Sequence, residues 1–141
     1  MTKSNYQALV IASLCIPIAG VIAESAFHLI PEELADAYAG LFLDSSIGIW
    51  EIFLGLVAVV TSMLGLIAFY GLLRLRSWAP RFAIGVSLLS WLTVCFLGPQ
   101  LLSGLGSATL TLGCALYGAA MVLPFYAPEV HVLFWPEERA D

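Results

Sequence analysis

Glu24 and His28 lie four residues apart, the spacing that puts two side chains on one helix face, and Glu51 opens the next apolar stretch. Two carboxylates and an imidazole at one depth could relay protons or attract a cation, provided their surroundings differ. The surroundings do differ. Glu51 follows Asp44, Ser45 and Ser46, near a helix N-terminus where a carboxylate is favoured. Glu24 sits near a helix C-terminus, where a protonated His28 is favoured instead. The plainer alternative is that each residue snorkels to the headgroups, with a simple Glu24–His28 pair. One histidine and two carboxylates carry no metal-ligand spacing signature, so no metal site is expected.

Little else in the chain could do chemistry. Cys15, Cys95 and Cys114 all fall in apolar stretches and none belongs to a C-x-x-C pair, so they read as small hydrophobes. A disulfide-passing redox enzyme would need paired cysteines facing water. There is no metalloprotease helix, phosphate-binding loop, dinucleotide fingerprint or nucleophile elbow. Neither a catalytic residue nor a cofactor is expected.

The elements that would position these groups follow from where charge is missing. Of 141 residues, 61% are hydrophobic and 11% charged, and the mean hydropathy is +0.98. A soluble domain has about 25% charged residues. That balance excludes disorder, a nucleic-acid binder and an ordinary cytosolic enzyme. A bilayer core of about 30 Å needs about 20 helical residues. Lys3 and Glu24 enclose 20 uncharged residues, Glu51 and Arg74 enclose 22, and Arg81 and Glu129 enclose 47. The longest run is broken by Gly98, Pro99, Gln100, Ser103, Gly104, Gly106 and Ser107, a cluster of turn residues. The pattern predicts four spans, near 7–27, 47–73, 81–98 and 108–127, in a single integral membrane domain. Strand alternation is absent from all four, and lipid admits only helices or closed barrels. The expected fold is all-α, a four-helix transmembrane bundle. Lys3, the apolar stretch from Ala8 and Ala23-Glu24-Ser25 have the layout of a signal peptide, but the segment is expected to be retained as a span.

All five basic residues can be placed on one side: Lys3, the Arg74, Arg76 and Arg81 loop, and Arg139. The positive-inside rule then puts both termini in the cytoplasm, in a membrane of the bacterial inner type. Arg74, Arg76, Trp78 and Arg81 should sit at the headgroups as an orientation anchor, each base contributing about 1 kcal/mol toward anionic lipid. The first outer loop carries Glu32, Glu33, Asp36 and Asp44 and no base. Within it, residues 31–42 predict a short amphipathic helix with Leu34, Tyr38, Leu41 and Phe42 along one face. The tail from Tyr126 has an apolar stretch, Val130 to Trp135, suited to the inner interface.

Inside the spans the polar groups are hydroxyls: Ser13, Thr61, Ser62, Ser87, Ser90, Thr93, Thr109 and Thr111. Small residues recur at four-residue spacing, as in Ala19/Ala23, Ala58/Ser62 and Thr111/Ala115/Ala119, which favours close helix contact in a bundle or an oligomer. Pro17 and Pro124 should kink their helices. Two functions fit. The first is a non-enzymatic accessory, assembly or immunity-type protein that works through helix–helix or lipid contacts, with the bilayer, another membrane protein or a second copy as partner. The alternative is a small oligomeric transporter or ion- or proton-conducting protein with Glu24, His28 and Glu51 at its outer mouth. It lacks a charge at mid-membrane, where carrier sites usually lie.

Overall fold

The computed structural model describes residues 1–43, 48–96 and 101–136, with the backbone alone at 41–43 and 51. Six helices occur among them: α1 (Lys3–Ala26), α2 (Glu32–Leu43), α3 (Ile49–Leu73), α4 (Ala79–Phe96), α5 (Gly104–Tyr126) and α6 (Pro128–Phe134). No strand is present among the described residues. Four helices are long and apolar enough to cross a membrane: α1, α3 from Ile52 onward, α4 and α5.

Local chemistry explains where the helices begin and end. Thr2 caps α1, its hydroxyl accepting the Asn5 N–H at 3.3 Å, so the helix starts in the polar residues ahead of the apolar run. Pro80 sits in the first turn of α4, and Pro128 begins α6, where a missing N–H costs no helical bond. α1 ends in a left-handed turn at His28 (φ 47°), with the Leu29 N–H donating to the Glu24 carbonyl. α3 ends in the same way at Leu75 (φ 53°), where the Arg76 N–H donates to the Gly71 carbonyl.

The four long helices associate as two pairs. α1 packs along α5 and α3 along α4, while contact between the pairs is slight. The α1–α5 pair is antiparallel: Tyr6 bonds to Ala120, Gly20 meets Thr109, and Glu24 reaches Ser103. Its seam is very close. A Cβ at Gly20 would overlap the Thr109 side chain, and one at Gly113 would overlap the Pro17 ring and stand 2.9 Å from the Ser13 carbonyl. Pro17 has no N–H to offer that carbonyl, so α1 leaves a backbone acceptor open and α5 moves in against it.

The buried core lies toward one end. Tyr6, Val10, Ala68, Leu72, Ala79, Ala83, Ala120, Met121, Val130 and Phe134 form it, the last two from α6, which packs on α5 and α1. Tyr6 meets the Phe134 ring edge-on at 5.4 Å, and its hydroxyl donates to the Ala120 carbonyl at 2.8 Å. Gln7 ties the pairs together there by donating to the Leu73 carbonyl at 2.9 Å. This is the end that carries Arg74, Arg76 and Arg81, hereafter the basic end. Glu24 and α2 mark the opposite, acidic end.

Candidate functional site

At the acidic end, Glu24 is half-buried and its Oε1 accepts the Ser103 N–H at 2.6 Å. Ser103 is the N-cap of α5, and its own hydroxyl accepts the Gly106 N–H at 3.0 Å. A capping box normally takes its carboxylate from the third residue of the helix it caps. Here that position is Gly106, and the carboxylate comes instead from α1. Gly106 has no side chain to obstruct it: a Cβ there would overlap Glu24. The negative charge also faces the positive end of the α5 dipole.

His28 stands apart from that contact. The chain turns left-handed at His28 two residues past the end of α1, so the helical spacing from Glu24 is broken and the side chain is exposed. Among the described residues no ion pair or hydrogen bond joins His28 to Glu24. Glu51 belongs to the first turn of α3, and its side chain lies outside the described residues. No three His, Cys, Asp or Glu side chains among the described residues come together as a metal would require.

The basic loop is held from within. Arg74 lies over the Tyr70 ring at 5.5 Å, and Trp78 meets Phe82 edge-on at 5.5 Å. Gly71 makes room for the indole, since a Cβ would stand 2.8 Å from it. Arg76 and Arg81 are exposed, free to meet a charged surface. α2 at the other end is exposed along its described length, with only Tyr38 half-buried. Leu41 and Phe42, half of its expected apolar face, have side chains outside the described residues.

A concavity lies away from the charges. A cleft of about 710 Å³ opens between the two helix pairs. Ser13, Thr61, Ser87 and Cys114 line it, and each lies within two residues of the centre of α1, α3, α4 and α5 respectively. The cleft is therefore at mid-helix depth, and no charged residue lines it. Thr61 and Thr93 donate back to the Val57 and Leu89 carbonyls at 2.7 and 2.9 Å, and Ser13 donates to the Val10 carbonyl. Ser87 crosses between the pairs to the Met121 sulfur at 3.4 Å. Beyond that bridge a smaller recess of about 290 Å³ opens on the outer side of α4 and α5, sharing Ser87, Trp91, Gly118 and Met121 with the main cleft.

The hydroxyls of this cleft are visible in the sequence as in-span polar groups. Tyr117, Trp91 and Met121 are missed there, because nothing in one chain says which helix faces meet. No protein-family model, curated protein or solved structure matches this chain.

Proposed function

We propose that this chain is a multi-pass protein of a bacterial cytoplasmic membrane, with both termini cytoplasmic, that acts without catalysis as an accessory, assembly or immunity-type protein. In this reading the basic end lies at the inner leaflet, α2 rests on the outer surface, and the work is done by contact with lipid or with another membrane protein. The observation that carries it is the pairing of the helices. α1–α5 and α3–α4 are each closely packed, yet they leave a cleft open between them and large apolar faces exposed on both, such as Ile22 at 62%, Leu66 at 62% and Leu88 at 63%. Such faces are satisfied only by lipid or by other helices.

Affinity purification of the full chain in mild detergent, followed by mass spectrometry, tests this reading. A defined membrane partner or a stable homo-oligomer is expected. A monodisperse monomer without a partner would count against it. The mid-depth hydroxyls favour a second reading, a carrier for a neutral solute, and solute flux into proteoliposomes separates the two.

A further inference from the structure

The cleft between the helix pairs has the features of a binding site for a particular kind of molecule. Its volume of about 710 Å³ falls in the usual range for small-molecule sites, about 300–1,000 Å³. A transmembrane helix is too large for it: one turn of a 10 Å cylinder takes about 420 Å³, and a span needs more than five turns. A charged solute is disfavoured at this depth, with no opposite charge in the walls. Two hydroxyls in the walls, Ser90 and Tyr117, make no hydrogen bond among the described residues, unlike Thr61 or Thr93. Both border the cleft and can donate to an acceptor placed in it. Ordinary acyl lipids carry no acceptor closer to the bilayer midplane than their ester groups, about 15 Å away. An occupant that brings an acceptor to this depth without a charge would match these walls. Phe69, Trp91 and Tyr117 supply aromatic walls for a flat ring.

We propose that the cleft binds a neutral membrane-soluble molecule with a carbonyl-bearing ring and a long apolar tail, the chemistry of an isoprenoid quinone. The ring lies among the aromatic side chains and accepts hydrogen bonds from Ser90 and Tyr117. The tail leaves between α4 and α5, past the Ser87–Met121 bridge, through the smaller recess. No electron transfer is involved. The proposal rests on the reading of the protein as one that works through lipid contact, and names the lipid.

Trp91 lines the cleft, whereas Trp50, Trp78 and Trp135 lie near helix ends, so Trp91 reports on the site. The experiment titrates ubiquinone-2 into the full chain in phosphatidylcholine nanodiscs and follows tryptophan fluorescence. Saturable quenching is expected, and it should lose its saturable part in Trp91→Phe. Gly118→Leu fills the cleft from a position where a Cβ meets nothing within 4 Å, so it should fold normally, by circular dichroism, and abolish saturation. Ser90→Ala and Tyr117→Phe should each weaken binding about three- to tenfold, the effect of one lost hydrogen bond. Quenching that rises linearly and equally in Gly118→Leu would overturn the proposal. Displacement by an excess of diacylglycerol would also overturn it, since a carbonyl ring would then not be what is recognised. Either failure leaves the partner purification above untouched, so the two ideas fall separately.

Discussion

The Glu24 carboxylate on α1 accepts the Ser103 N–H at the start of α5, at 2.6 Å, and thereby caps a helix to which it does not belong. With the Tyr6–Ala120 bond at the other end, it fastens the antiparallel pair at two points about 27 Å apart along α1. Removing the acceptor should cost more than removing the charge. Glu24→Ala is expected to lower stability by about 1–3 kcal/mol, because it strands the Ser103 N–H. Glu24→Gln keeps an oxygen in place and should lose only about 0.3–1 kcal/mol of interaction with the helix dipole. Unfolding in detergent measures both, and equal losses would argue against the capping role.

The α1–α5 seam makes glycine substitutions sharply position-dependent. Gly20→Val and Gly113→Leu force side chains into Thr109 and Pro17, and each should cost about 1–3 kcal/mol or more through overpacking. Gly55→Ala and Gly85→Ala meet open space and should raise stability by up to about 1 kcal/mol. Thermal unfolding of the four variants distinguishes a tight seam from uniform packing.

His28 holds a left-handed backbone at φ 47°. That conformation costs an L-residue about 1–2 kcal/mol, and glycine is free of it. His28→Gly should therefore raise the unfolding temperature, and His28→Val should lower it. A His28→Gly variant that loses stability would show that the imbrication of its side chain, not its backbone, matters at the end of α1.

At the basic end, Phe134 is 3% exposed and packs on Tyr6. Phe134→Ala should cost about 3–5 kcal/mol, and Tyr6→Phe, which removes only the bond to Ala120, about 1 kcal/mol. A small effect of Phe134→Ala would mean that α6 is dispensable for the buried core.

The sequence makes the helices legible and leaves their association obscure. Runs without charge locate α1, α3, α4 and α5, because lipid excludes unpaired charge and unpaired backbone alike. The starts differ for local reasons: Thr2 and Ser103 extend α1 and α5 toward their N-termini by capping, and Pro80 suits the first turn of α4. The partner of α1 could not be read from spacing. Glu24 and His28 have the i, i+4 separation of a helical pair, but the helix ends at Ala26, and Glu24 finds its partner 79 residues away. Four-residue repeats of small residues point to Thr111, Ala115 and Ala119, which are exposed; the contact is made by Gly106, Gly113 and Ala120 on another face of the same helix. Which face is used depends on Pro17 and Glu24 across the seam, and that is information held jointly by two helices.

Joining the pairs through a core at one end has a mechanical consequence. The chain itself crosses between the pairs at the other end, from α4 to α5, so the cleft in the middle is where their separation has room to change. In a bilayer that separation works against lateral pressure, which differs between leaflets and changes with curvature and lipid shape. Anything that fills the cleft holds the pairs apart, and lateral compression drives them together. The shape of the protein in the membrane plane is thereby coupled to what occupies it.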